Sequence, residues 1–282
     1  MIDLSIDTKN VRKTLTDFIL TQITNTNYPR AVLGLSGGID SAVACYLAAE
    51  ALGADNVLAV RMPYKTSSPD SLEHAQLVIE ALGVQSLDVD ISGMVDALFE
   101  QFPDASKLRR GNAMARARMI VLYDQSEVFQ GLVVGASNKS EILLGYTTLF
   151  GDAACALNPL GDLYKTQVRQ LARALGVPAV IIEKPPSADL WEDQTDEGEL
   201  GFTYAEVDKL FHLLIDRRYS FEECVAAGFA EDFVHEVLLR MRANEFKRRL
   251  PPVAKVGRTE DGRRKTEDGG GRLLRCARND RE

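Results

Sequence analysis

Four short strand-like segments, separated by stretches of helical periodicity, limit this chain to a small set of architectures. Ala31-Val32-Leu33-Gly34-Leu35 reads as a short buried strand, Val57 to Val60 as a second strand, Val84 to Val89 as a third and Leu132-Val133-Val134-Gly135 as a fourth. Between them lie Ala42 to Leu52, closed by Gly53, and a helix opened by Ser68-Pro69 that ends near Gly83. A long helical stretch, Lys107 to Phe129, separates the third and fourth strands, and Val11 to Ile23 forms a helix ahead of the first. Strands alternating with helices of ten or more residues predict an α/β fold: a doubly wound, mostly parallel sheet with helices on both faces. Such sheets take their ligands outside the carboxyl ends of the strands. The loops after Leu35, Val60 and Val134 are therefore the first places to look for function.

The rest of the chain has a different texture. Thr203 to Arg249 reads as helical throughout, with no further strand. Pro185 to Gly201 has two prolines near its start, many acids and weak periodicity, which predicts a mobile loop. Residues 1–257 are expected to form a single folded unit. Beyond it, Arg258-Thr259-Glu260-Asp261-Gly262 is nearly repeated by Lys265-Thr266-Glu267-Asp268-Gly269, and three glycines follow in a row. A segment so poor in apolar residues cannot offset its ordering entropy by burial, so 258–282 is expected to be a disordered extension.

The formal charge of −8 argues against a nucleic-acid-coating role, which needs a net basic face. No apolar run approaches the roughly 20 residues of a membrane helix, and the first ten residues lack a signal-peptide pattern. Cys45, Cys155, Cys224 and Cys276 are widely spaced and form no CxxC pair, which fits reduced thiols in a cytoplasmic protein.

The densest signal is Ser36-Gly37-Gly38-Ile39-Asp40-Ser41, directly after the first strand and before a helix. Paired glycines allow a sharp turn and close approach to a ligand. The loop amides and the helix N-terminus make an anion cradle, to which Ser36 and Ser41 add hydroxyls. Asp40 would repel a bare phosphate, but it suits one that shares a magnesium ion with it. The loop lacks the lysine of a Walker A motif and the spacing of GxGxxG. It also admits a plainer reading, a tight βα turn with Asp40 stabilising the helix start.

That hexapeptide resembles the SGGxDS loop of the N-type ATP pyrophosphatases, which cleave ATP to AMP and pyrophosphate while adenylating a carbonyl oxygen. Further segments narrow the resemblance: Gly135-Ala136-Ser137-Asn138-Lys139-Ser140-Glu141, Gly145-Tyr146, Phe150-Gly151-Asp152 and Asn158-Pro159-Leu160. Leu163-Tyr164-Lys165, Lys184-Pro185-Pro186-Ser187-Ala188-Asp189-Leu190, Glu199-Leu200-Gly201-Phe202-Thr203-Tyr204 and Asn244-Glu245-Phe246-Lys247-Arg248-Arg249 follow in order. Taken together the series resembles the NAD synthetases in their compact bacterial and archaeal form, from about residue 10 to Val256. The resemblance implies a Rossmann-like fold of the adenine nucleotide alpha-hydrolase type.

It also implies roles. Gly34, Leu35, Ser36, Gly37, Gly38, Ile39, Asp40 and Ser41 would hold ATP, with Arg61, Lys165 and Ser187 as further ATP contacts. Asp40 and Glu141 would carry magnesium, and Asp40, Glu141 and Lys165 would form the catalytic set. Arg116, Phe246 and Lys247 match positions that bind the deamido-NAD substrate. On the residues alone, Arg116 and Lys247 read equally as solvated helix charges, Ser187 as a turn residue, and Glu141 as an acid stabilised by a helix dipole. Lys165 opens a helix, where its charge is unfavourable to the macrodipole, so an anionic neighbour is expected. Ala136, Leu149, Ala156 and Phe246 depart from the residues that larger relatives place there, which weakens the dinucleotide contacts more than the ATP contacts.

The implied reaction is attack of the nicotinate carboxylate of deamido-NAD on ATP, followed by ammonia displacing AMP to give NAD. The short segment before the first helix leaves no room for an amidase, so ammonia is the expected donor, with a separate glutaminase subunit as the other possible source. The resemblance further implies a homodimer that shares its dinucleotide site, with Met119 to Phe129 at the interface. Another amide- or thiol-forming ATP pyrophosphatase is the alternative enzyme, although thiolases of this kind usually pair cysteines. A non-catalytic nucleotide sensor is the alternative from a different class. The retention of both Asp40 and Glu141 speaks against it.

Overall fold

A computed structural model describes residues 2–191 and 194–254; the expected extension, 258–282, lies outside the described residues. The predicted α/β architecture is present. Strands β1 (Arg30–Gly34), β2 (Val57–Arg61), β3 (Gln85–Asp88) and β4 (Gly131–Val133) form one parallel sheet in the order β3-β2-β1-β4. Helices α1 (Thr8–Thr24), α2 (Ile39–Leu52), α3 (Pro69–Leu82), α4 (Ser92–Phe99) and α5 (Lys107–Phe129) surround the first three strands and lead to the fourth. The remaining helices are α6 (Lys139–Leu144), α7 (Lys165–Leu175), α8 (Ala179–Glu183), α9 (Asp196–Leu200), α10 (Tyr204–Phe211), α11 (Phe221–Ala226) and α12 (Glu231–Ala243).

Strand alternation explains why the sheet is covered twice. Ala31, Leu33, Val57 and Ala59 point into one core, shared with Ile19, Leu47 and Leu171 of α1, α2 and α7. Val32, Leu58 and Val60 point the other way, against Val95, Phe99, Met114 and Val121 of α4 and α5. Apolar runs without polar alternation are what such two-sided burial requires.

The strand order matters most for function. The chain steps outward from β1 to β2 to β3, then returns to place β4 on the opposite side of β1. The order reverses between β1 and β4, and their carboxyl ends diverge into a crevice there. An isolated parallel bridge from Val134 to Leu157 extends the β4 edge.

Two expectations need correcting in detail. The stretch read as helical from Thr203 to Arg249 is several pieces: α10 runs into a π-helical turn, His212–Asp216, and a 3-10 turn, Glu245–Arg248, ends the series. Arg218 and Gly228, both at positive φ, mark its breaks. The stretch expected as a mobile loop, 185–201, contains α9, where Thr195 caps the Gly198 amide and Leu200 is buried. Five residues are too few for periodicity to reveal such a helix.

The C-terminal helices build a core of their own from Leu144, Tyr164, Leu200, Phe202, Phe211, Val234 and Val237. Phe211 is fully buried and stacks on Tyr164, with ring centroids 6.4 Å apart. Tyr164 immediately precedes α7, so this core seats the start of that helix. Phe211→Ala is expected to cost about 3–5 kcal/mol, read as a lower urea midpoint. A change below about 1 kcal/mol would show that the layer does not depend on this ring.

Candidate active site

The loop after β1 is shaped by its glycines. Gly37 has φ +75°, and a Cβ there would lie 2.1 Å from the Ser71 carbonyl oxygen, so only glycine fits. Ser41 Oγ donates to the Gly38 carbonyl at 3.0 Å and accepts from the Ser36 amide at 3.2 Å, which ties the loop to the first turn of α2. Gly38 is the N-cap of α2 and makes no side-chain cap, so the amides of that turn stay directed at the crevice. Asp40 stands in this first turn.

From the β4 side comes Asn138-Lys139-Ser140-Glu141. Asn138 caps α6 by accepting from the Glu141 amide at 3.0 Å, and Glu141 Oε2 accepts from the Asn138 amide at 3.3 Å. This reciprocal capping fixes the Glu141 carboxylate at the strand end. Asn138 Nδ2 also donates to Asp40 Oδ1 at 2.9 Å, bridging the two sides of the crevice.

Lys165 closes the arrangement. Its side chain is 3% exposed, and Nζ lies 2.5 Å from Asp40 Oδ2 and 3.1 Å from Glu141 Oε1. Burial alone would depress its ammonium pKa, but Asp40 and Glu141 outweigh burial and hold it above the ordinary lysine value. Burial likewise pushes the Glu141 carboxyl up to about 8, against the opposing pull of Lys165. Behind them, the fully buried Asp208 accepts from Ser140 Oγ at 2.5 Å and from the Thr166 amide at 2.9 Å. Ser140 Oγ also accepts from the Lys165 amide at 3.0 Å. Asp208 thus clamps the N-termini of α6 and α7 together and sets the Glu141–Lys165 distance.

These groups line a cleft of about 520 Å³, within the range of small-molecule sites. Two carboxylates closing on one buried cation are the hard oxygen donors that a small divalent ion accepts, with phosphates completing its shell. Among the described residues no group of three or more His, Cys, Asp or Glu stands together as a metal cage.

A sheet reversal, a glycine loop and a carboxylate–lysine–carboxylate cluster meet in one cleft, and comparison decides the family. The NAD synthase family profile matches residues 11–251. The chain belongs to the NAD synthase family. It is 59% identical over 262 residues to an NH3-dependent NAD+ synthetase of Trichlorobacter lovleyi, which spans 93% of this chain and 96% of the relative. Among solved structures it resembles an NH3-dependent NAD synthetase from Campylobacter jejuni in complex with nitrate ion: TM-score 0.77, 33% identity, 89% of this chain and 100% of that one. An NMN synthetase from Francisella tularensis is also similar, with TM-score 0.79, 31% identity and coverage of 89% and 99%.

Within this family member the expected residues divide. Gly34, Leu35, Ser36, Gly38, Ile39, Asp40, Ser41, Arg61, Glu141, Lys165, Ser187 and Lys247 line one cleft, with Gly37 turning the loop beside it. Arg61 is held by Asp88 at 2.5 and 2.7 Å and by Gln76 at 2.9 Å, so its guanidinium is already engaged. Lys247 Nζ donates to the Gly145 and Thr147 carbonyls at 2.7 and 2.9 Å, which anchors the C-terminal turn at the cleft rim.

Arg116 does not line the cleft. It faces outward from α5 on the stripe that carries Ile120 and Tyr123, its Nη2 donating to the Leu149 carbonyl at 3.2 Å. Phe246 is 60% exposed and likewise outside the cleft. In their place Arg118 and Lys184 face inward, donating to the Met62 carbonyl at 3.1 Å and to Ser71 Oγ at 3.0 Å. Helical phase is the available signal for Arg118, since it lies four residues after the buried Met114 and three before the buried Val121. Lys184 opens the Lys184-Pro185-Pro186-Ser187 stretch but carries no spacing signal of its own.

The sign of the Glu141 shift gives a test on chelator-treated protein. The folded pKa of about 8 exceeds the ordinary 4.5, so between these values the folded chain holds a proton that the unfolded chain has released. The stability contributed by this group is full below pH 4.5 and is lost as pH rises through 8. Burial raises Asp196 and Asp208 in the same sense, so the informative quantity is the difference between wild type and Glu141→Gln. The Tm of the wild type should fall more steeply from pH 5.5 to 8.5 than that of the variant; parallel slopes would refute the assignment.

Proposed function

We propose that this chain amidates deamido-NAD with ammonia at the expense of ATP, forming NAD, AMP and pyrophosphate through an adenylated carboxylate. Its relatives are named NH3-dependent NAD+ synthetases, and the observation that carries the reading is Lys165 buried between Asp40 and Glu141 opposite the glycine loop. ATP takes the cradle from Gly34 to Ser41, with Arg61 and Ser187 along its walls. The nicotinate carboxylate attacks the α-phosphorus and pyrophosphate departs. Ammonia then attacks the activated carbonyl and AMP leaves. Lys165, kept charged by its two carboxylates, offsets the charge that develops on pyrophosphate, while the loop amides hold it in line. No side chain serves as a nucleophile.

Asp40 and Glu141 would hold Mg2+ in this reading, and that ion would supply charge neutralisation to the triphosphate. The segment 185–201, which lines the cleft through Ser187, Gln194 and Asp196, shields the adenylate from water. Arg116, Phe246 and Lys247 bind the dinucleotide. The outward position of Arg116 fits a homodimer in which one protomer completes the other's site, with Ile120, Tyr123 and the neighbouring apolar residues of α5 at the contact. None of the described helices is long and apolar enough to cross a membrane. The free thiols of Cys45, Cys155 and Cys224 suit the reducing cytoplasm. Ammonia arrives free or from a separate glutaminase.

Purified protein with MgATP, deamido-NAD and ammonium should yield NAD and AMP in equal amounts by chromatography. Asp40→Asn should lower the rate by about 10²–10³-fold, the scale of losing one electrostatic stabiliser. Amidation of the mononucleotide half of the substrate in preference to the dinucleotide would redirect the reading toward the activity named for the Francisella tularensis protein. Absence of AMP from folded protein would overturn it.

A further inference from the structure

One cation of the cleft is placed against the glycine loop and has no role in the steps above. Lys184 is the C-cap of α8, whose Ile181 and Ile182 are buried in the core beside the sheet, and Arg169 Nη1 donates to the Ile182 carbonyl at 3.3 Å. Pro185 and Pro186 follow, each with its φ fixed by its ring. Buried residues before it and prolines after it hold the Lys184 backbone, so the fold aims its ammonium. The aim is inward: Lys184 lines the cleft, and Nζ donates to Ser71 Oγ at 3.0 Å. Ser71 is buried in the first turn of α3, and its carbonyl oxygen is the atom that a Cβ on Gly37 would meet at 2.1 Å. Through Ser71 the ammonium is seated at the turn of the β1 loop.

Its charge sets it apart from the other cations of the cleft. Lys165 shares its charge between Asp40 and Glu141, and Arg61 is paired with Asp88. Lys247 donates to two carbonyls at the cleft rim, and Arg118 to one at the end of β2. Lys184 forms no ion pair among the described residues, and its hydrogen bond goes to a neutral hydroxyl. An ammonium has three donors, so the bond to Ser71 leaves others for an anion in the cleft. A half-buried positive charge, held in place and unmatched by a carboxylate, suits a phosphate group. In the adenylation step a carboxylate oxygen bonds to the α-phosphorus, and the bond from that phosphorus to the bridging oxygen breaks. The electron pair of the broken bond leaves with pyrophosphate, so negative charge builds on the phosphates held by the loop, beside Lys184.

We infer that Lys184 binds the β- and γ-phosphates of ATP and the pyrophosphate they become, as a second cation whose charge is not shared with the cleft's own carboxylates. This inference rests on the adenylation reading above and names a binding residue for its leaving group. The structural alternative is that Lys184 only ties the 185–201 segment to α3 through Ser71, in which case the hydrogen bond matters and the charge does not.

Magnesium pyrophosphate and AMP, titrated calorimetrically into the free protein, separate the two. In Lys184→Gln the Kd for magnesium pyrophosphate should rise at least about 10-fold, the scale of one charge-assisted hydrogen bond, while the Kd for AMP stays within about threefold. Retained AMP binding also shows that the variant is folded. Lys184→Arg, which keeps the charge, should restore most of the pyrophosphate affinity. Ser71→Ala, which removes the tether and keeps the ammonium, should stay within about threefold of wild type for both ligands. Unchanged pyrophosphate binding in Lys184→Gln, a matching loss in Ser71→Ala, or pyrophosphate and AMP affinities falling together would overturn the inference and leave adenylation intact. So would a wild type that forms AMP in turnover but takes up no magnesium pyrophosphate. Wild-type protein that releases no AMP from MgATP, deamido-NAD and ammonium would instead overturn the adenylation reading, and this inference with it.

Discussion

A lysine ammonium that is 3% exposed and sits at the first position of a helix is unfavourable twice over. Burial strips its hydration, and the helix dipole opposes its charge. It is tolerated because two carboxylates reach it from different parts of the chain, Asp40 after β1 and Glu141 after β4. Those two residues are 101 positions apart in sequence and adjacent in space only because β4 lies next to β1. The sheet order is therefore a condition for the cluster. The converse also holds: removing one partner would leave an uncompensated buried charge, so the cluster constrains how the crevice can pack.

The C-terminal helices enter the same chain of dependence. Asp208 from α10 accepts from Ser140 and from the Thr166 amide, so the distance between the two helix starts that carry Glu141 and Lys165 is set from a third helix. Tyr204 from the same helix sits one turn away and supports Asp196. A layer that shares no strand with the sheet thereby controls the electrostatics at its edge. Its core of Tyr164, Phe211, Val207 and Val237 is what makes that control rigid.

Much of this was legible in the sequence, for identifiable reasons. Uninterrupted apolar runs such as Ala31 to Leu35 announce strands buried on both faces, and Gly37-Gly38 before a helix announces the cradle, because only local geometry is involved. Asp40, Glu141 and Lys165 were found through their motifs, although their meeting depends on strand order, which periodicity does not encode. Asp196 and Asp208 were not found. In sequence they are acids in polar helical stretches, indistinguishable from solvated ones, and only the packing of the second core buries them. The exchange of Arg116 for Arg118 as the inward-facing arginine has a similar cause: two residues apart on a helix, they point in opposite senses, and the phase is set by what α5 packs against. Arg61 was placed correctly at a strand end, but its partner Asp88 comes from the neighbouring strand end, a pairing that only the register of β2 with β3 reveals.

The charge of the cleft bears on how the substrates enter it. Among the described residues six carboxylates line it (Asp40, Glu141, Asp152, Asp189, Asp196 and Glu199) against five cations (Arg61, Arg118, Lys165, Lys184 and Lys247). Arg61 and Lys165 are already neutralised by Asp88, Asp40 and Glu141. Such a cavity offers a triphosphate no net positive field, in contrast to sites that capture anions through a surplus of lysine and arginine. What it offers instead is directional: amides at the start of α2, hydroxyls in the loop, and carboxylates that accept a cation brought with the phosphates. The same acidity that would deter free ATP favours a small cation, and the reaction proposed for this chain consumes one in the form of ammonium. Two polyanionic substrates can thus share a cleft whose anion contacts lie along the β1 loop instead of in a surplus of cations.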